Sequence, residues 1–184
     1  MSNARNLADI VTGNFDVPLG ALDNVPPSND ASALTTGTLG TSRLPAGSVL
    51  QVVSNVTPTA YVSYDGNHIA TNLEATITPS SASSKILVLM NPSISVNGSG
   101  GSNATCLTLV KRNNSNVYHT YYRNYDYSGA GVYISIPIFL SVLDSPNTTS
   151  PALYRFEFAL QNGSNAQLNP DGGYSSVTLL EIAA

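Results

Sequence analysis

The side chains that could do chemistry in this chain are few and scattered. His68 and His119 each sit inside alternating stretches, with no Ser, Cys or carboxylate at a spacing that would make a nucleophile–base pair, and Cys106 is the sole cysteine. Two imidazoles and one thiol fall short of the ligand set a zinc ion takes. A lone cysteine also rules out an intrachain disulfide and a dithiol redox pair. Its neighbours in TCLTLV (105–110) are mostly apolar, so Cys106 is expected to behave as a small buried hydrophobe. The GSGG run (98–101) has no Lys and helix after it to complete a phosphate cradle. P-loop, GxSxG, HExxH and EF-hand spacings are absent as well. No catalytic, cofactor-binding or metal residue is assigned, and the expectation is that the protein is not an enzyme.

Binding is better provided for than catalysis. Six of the ten tyrosines (Tyr118, Tyr121, Tyr122, Tyr125, Tyr127 and Tyr133) lie within 118–133, interleaved with His119, Arg123, Asn124 and Asp126. Tyrosine offers rigid, amphipathic contact area at low entropic cost. Tyr122, Tyr125 and Tyr127 are therefore candidates for stacking on a sugar ring or meeting a protein receptor. The competing reading is that these rings pack inward along two strands joined by the loop YRNYDYSGAG.

The strongest signal for partners lies earlier. In ALTTGTLGTSRLPAGSV (33–49), Leu34, Leu39, Leu44 and Val49 recur every five residues. A helix buries residues at spacings of three and four, and a half-buried strand at two. A five-residue ladder has no means of burying itself in one chain, so it reads as an oligomeric fibre element. Upstream, the turn-rich string VPLGALDNVPPSNDAS (17–32) and the pair Pro26-Pro27 exclude helix and central strand. Asp9, Asp16, Asp23 and Asp30 are spaced by seven, but no apolar a/d pattern accompanies them, so they do not mark a coiled coil. Residues 1–30 read as an extended arm that orders against something else.

From Ser48 the texture changes to alternation and β-branched residues. Strands are expected at 48–56, 60–64, 68–71, 73–79, 85–96, 104–112, 116–122, 131–143, 152–162 and 175–183, with Asp65-Gly66 as a hairpin signal. In ALYRFEFALQN (152–162), Tyr154, Phe156, Phe158 and Leu160 share one face, which must be core. Arg155 and Glu157 on the other face are expected to meet solvent or a subunit. The body is predicted to be an all-β, antiparallel, jelly-roll-like sandwich.

Composition bounds the partners. Only 18 residues are charged while Ser, Thr and Asn number 59, and the net charge is −4 with Lys and Arg scattered singly. A phosphate-backbone partner requires a basic stripe, so no nucleic acid is expected. The opening MSNARNLADIV lacks the apolar h-region of a signal peptide. The most apolar run, VYISIPIFLSVL (132–143), is shorter than the ~20 residues a helical span needs, so no membrane insertion is expected.

Several stretches carry a resemblance. DASALTTGTLGTSRLPAGSVLQVV (30–53) resembles the segment preceding the terminal domain of many bacteriophage tail-fibre and tail-associated proteins. TITPSSASSKILVLMN (76–91), FLSVLDSPNTTSPALYRFEFALQN (139–162) and SSVTLLEIA (175–183) are similar to the β domain that follows it in fibre-like proteins of phages, cyanophages among them. The resemblance implies a homotrimer in the virion, assembled in the host cytoplasm. In it, an arm (1–30) docks on a capsid, collar or tail/baseplate protein through Leu7, Ile10 and Phe15. A short shaft (31–47) trimerises through Leu34, Leu39, Leu44 and Val49, and a sandwich tip (48–184) serves host attachment. Two alternatives stand beside it: a capsid decoration or head fibre that reads no receptor, and a soluble carbohydrate-binding, lectin-like protein.

Overall fold

From Val49 onward the alternation is realised as strand in the computed structural model, which describes residues 43–98, 103–125 and 133–184, all within one unit that starts at Gly40. The arm residues Leu7, Ile10 and Phe15, the ladder residues Leu34 and Leu39, and Tyr127 lie outside the described residues. In chain order the strands are β1 (Val49–Thr57), β2 (Tyr61–Ser63), β3 (Ile69–Ile77), β4 (Lys85–Asn91), β5 (Ser93–Asn97) and β6 (Ala104–Arg112). They continue as β7 (Ser115–Asn124), β8 (Tyr133–Pro137), β9 (Leu140–Asp144), β10 (Ala152–Asn162), β11 (Asn165–Leu168) and β12 (Ser175–Ile182). A 3-10 turn stands at Pro170–Gly172. Among the described residues no helix is long and apolar enough to cross a membrane.

Three antiparallel sheets result: sheet A, β1-β12-β4-β9; sheet B, β2-β11-β5-β8; and sheet C, β3-β10-β6-β7. Sheets A and B share one strand order because each strand of B continues its counterpart in A across a break. A proline stands in or beside all four breaks: Pro58, Pro92, Pro137 and Pro170. Proline has no N–H to give a ladder, so a row of prolines at one level writes a crease across what is otherwise one long sheet. Asn169, fully buried with φ 52°, ties the crease together. Its amide donates to the carbonyls of Thr57 (2.9 Å) and Thr59 (3.0 Å), and its Oδ1 accepts from the Ser175 hydroxyl.

With each A/B pair taken as one strand, the described residues form eight. The first pairs with the last, the second with the seventh, the third with the sixth and the fourth with the fifth, through β1·β12, β3·β10, β4·β9 and β6·β7. This is one long antiparallel ribbon wound into two facing sheets, the jelly roll. The predicted all-β sandwich is thus the observed fold. Differences from the sequence reading are local. The two strands expected at 68–71 and 73–79 are a single β3, whereas 85–96 and 131–143 are each split, at Pro92 and after Pro137. Asp65-Gly66 is not a hairpin turn, since β2 pairs with β11 and β3 with β10. The segment crosses between sheets, shaped by Asn67 N–H donating to Asp65 Oδ1. The tight hairpin joins β6 to β7 instead. Asn113 and Asn114 occupy it with φ of 46° and 72°, the pair of left-handed residues that a two-residue I′ turn demands.

The core fills the space between sheets. Tyr154, Phe156, Phe158 and Leu160 are buried as their alternation required, packed with Ile86, Val88, Val177 and Leu179 from sheet A and Ile94 and Val96 from sheet B. Each large side chain contributes about 1.5–3 kcal/mol on burial. Cys106 is fully buried, and burial pushes its thiol up to about 12, far from a reactive thiolate. Two polar knots close the ends. Tyr154 donates its hydroxyl to Asp144 Oδ2 (2.7 Å), which also pairs with Arg112, linking sheets A and C. The buried Glu181 carboxylate accepts from Gln51 Nε2 (2.6 Å) and from the Ser80 N–H and hydroxyl (both 2.7 Å). Burial alone would raise its pKa, but these donors outweigh it and hold the carboxyl below the usual range.

Candidate binding surfaces

A roll of this kind offers two outer faces and one open edge, and the three differ in chemistry. On the outer face of sheet C, successive rows bring charges side by side. Glu74 on β3, Arg155 on β10 and Lys111 on β6 occupy one row. Ala70, Glu157, Leu109 and His119 occupy the next. Arg155 pairs with Glu74. Glu157 is buried, with Lys111 Nζ 2.6 Å and His68 Nδ1 4.0 Å from its Oε2. Both expectations for that face, solvent or a subunit contact, are therefore replaced for Glu157 by an internal ion pair. The sequence held a signal for this, since Lys111 and Glu157 are among the few charges of two largely apolar strands, but the register that joins them is not local.

The tyrosines divide. Tyr118, Tyr121 and Tyr125 are exposed, and the Arg123 guanidinium lies 5.6 Å from the Tyr121 ring centre, a cation–π distance. Tyr122, paired opposite Cys106, packs against the core, and burial raises its phenol pKa. Of the three candidate contact residues, Tyr125 is thus on the surface and Tyr122 turned inward.

Sheet A presents the contrasting face. The last ladder residue, Val49, is already the first residue of β1 and half exposed, while Leu44 precedes it outside any strand. Beyond it, the register sets Val52, Leu180, Leu87 and Leu143 in a row across all four strands.

At the open edge, β1 and β3 border a cleft of about 430 Å³ lined chiefly by hydroxyls, amides and the Glu74 side chain. Its polar groups are engaged with one another: Thr57 Oγ1 donates to Asn72 Oδ1 (2.8 Å), and Asn72 Nδ2 donates to Thr59 Oγ1 (3.0 Å). Among the described residues no three His, Cys, Asp or Glu side chains gather as a metal site.

No family model matches this chain, and no curated protein matches it. Matches among solved structures include the VP2 subviral particle of infectious bursal disease virus, at 13% identity and a TM-score of 0.38 over 72% of this chain and 32% of that one. The T=1 particles derived from the same virus match at 10% identity and a TM-score of 0.36, over 73% of this chain and 36% of that one. Dimeric latent PorU from Porphyromonas gingivalis matches at 10% identity and a TM-score of 0.33, over 76% and 14%. The chain spans about a third or less of the length of each of these structures.

Proposed function

We propose that this chain is a structural fibre protein of a bacteriophage virion: a homotrimer anchored by residues 1–30 and displaying its jelly roll for host attachment. The observation that carries the reading is the closure of the roll, whose first strand pairs along its length with its last. The composition of residues 1–30 suits an arm that orders on a partner. The resemblance of 30–53 and of the later β segments to phage fibre proteins supplies the setting. Three tips on one stalk would turn a weak contact per tip into avidity on a repetitive host surface.

Deleting residues 1–30 tests the reading. The truncated protein is expected to fold and to be missing from particles; its normal incorporation would refute the arm's role. Replacing Tyr125 and Tyr127 with Ala is expected to lower host adsorption by intact particles. Unchanged adsorption would favour a fibre that decorates the capsid without reading a receptor.

A further inference from the structure

We propose that the outer face of sheet A is the surface through which three copies of this chain pack, so that the opposite sheet faces outward. The inference rests on the trimeric reading above and assigns it a surface.

Four rows make up the face. The register gives Val49–Ile182–Lys85, then Val52–Leu180–Leu87–Leu143, then Ser54–Thr178–Leu89–Ser141, then Val56–Ser176–Asn91. Several apolar members are exposed: Val52 and Val56 are each 58% exposed, Leu143 52% and Leu89 38%. Lys85, at the rim, is the one charge these rows carry. Scattered exposed apolar residues need no explanation, but a contiguous set across four neighbouring strands marks a contact surface.

The occupant follows from where the rest of the chain is attached. Gly47 N–H donates to the Ala183 carbonyl and Ala183 N–H to that of Ser48, both at 2.8 Å, so the β1–β12 ladder runs up to the point where the shaft segment begins. The five-residue ladder of 34–49 therefore ends on this face, in Val49. Only the tight turn Pro45–Ser48, closed by Ser48 N–H donating to the Pro45 carbonyl (3.2 Å), stands between Leu44 and this face, so chains held together by that ladder bring their sheet A faces to a common axis. Size argues the same way. Four strands about 4.8 Å apart give a patch of roughly 400 Å², below the ~800 Å² per partner of a free-standing interface. Such a face would not hold a partner from solution, but it serves when the shaft supplies the local concentration. In a closed three-fold ring each contact is head-to-tail, so the β1 edge of one copy meets the β9 edge of the next.

The test uses the full chain with Val52→Glu and Leu143→Glu together, both at exposed positions, and Tyr121→Glu on the opposite sheet as control. Light scattering is expected to give three times 19.2 kDa for the natural chain and the control. The double variant should dissociate at protein concentrations at least tenfold higher than the natural chain, with its circular dichroism and melting temperature retained. A second variant, Val52→Cys with Leu143→Cys, should form interchain disulfides on oxidation. A double variant that stays trimeric as tightly as the natural chain, while Leu39→Asp dissolves it, overturns the face assignment and leaves the trimer standing. A natural chain that is monomeric throughout overturns both. A monomer whose sheet A face gains hydrogen-exchange protection from residues 1–42 names the chain's own arm as the occupant, and overturns the proposal as well.

Discussion

The two outer faces of the roll are built from the same strand alternation and carry opposite chemistry. Sheet C turns Glu74, Arg155, Lys111 and Glu157 outward and satisfies them in pairs among themselves. Sheet A turns out Val52, Leu180, Leu87 and Leu143, of which Val52 and Leu143 are more than half exposed. A face with its polar demands met internally is finished; a face of bare aliphatic groups gains by meeting another. On the proposed reading, a substitution in the ion pairs of sheet C acts on folding, whereas one in the apolar rows of sheet A acts on assembly.

Glu157→Ala puts that distinction under the greatest strain. It strands Lys111 on a largely buried site, and breaking such a pair costs about 3–5 kcal/mol. The melting temperature is expected to drop by many degrees at unchanged oligomeric mass, and a change in mass without loss of stability would dissolve the contrast. Next comes Glu181, lying beneath the apolar face. Its folded pKa is depressed relative to the unfolded chain, so its contribution is fully present above the ordinary carboxylate pKa and is lost as pH falls through the folded value. Glu181→Gln should cost about 1–3 kcal/mol at neutral pH, and chemical denaturation across pH 3–7 (roughly the window of carboxylate titration) should show a shallower acid slope than the natural chain. Arg155→Ala removes a partly solvated pair with Glu74 and is expected to cost about 1 kcal/mol or less, diminishing with salt. Smallest of all, Val52→Ser with Leu89→Ser should alter folding free energy by less than about 0.5 kcal/mol each. A larger loss of monomer stability would mean that those side chains are already buried against their own chain.

Much of this was legible in the sequence, and the reasons for the remainder are physical. The inward face of β10 followed from strict alternation, and β6 and β10 begin and end where turn residues place them. Pro92 and Pro137 interrupt runs that otherwise read as continuous strand, so two long predictions became four elements. β11 is four residues long with Asn and Gln at alternate positions, too short and polar to stand out. Asp65-Gly66 resembled a hairpin because turn chemistry is local, while the choice to cross between sheets is decided by pairing with β11 and β10, about a hundred residues away. The Lys111–Glu157 pair and the apolar rows of sheet A were illegible for the same reason, since each depends on which strands become neighbours. Tyr122 and Tyr125 show how finely orientation matters. Three residues apart, one lies against the core and the other is half exposed.

The crease has a consequence for crowding. The two borders of the long A/B sheet, β1–β2 and β8–β9, are interrupted at Pro58 and after Pro137. An uninterrupted border of that length would be a template on which a stray neighbouring strand could zip and propagate into aggregate. Where many identical molecules are held close together, an interrupted hem keeps lateral growth from starting, and leaves side-chain contact as the way one copy recognises the next.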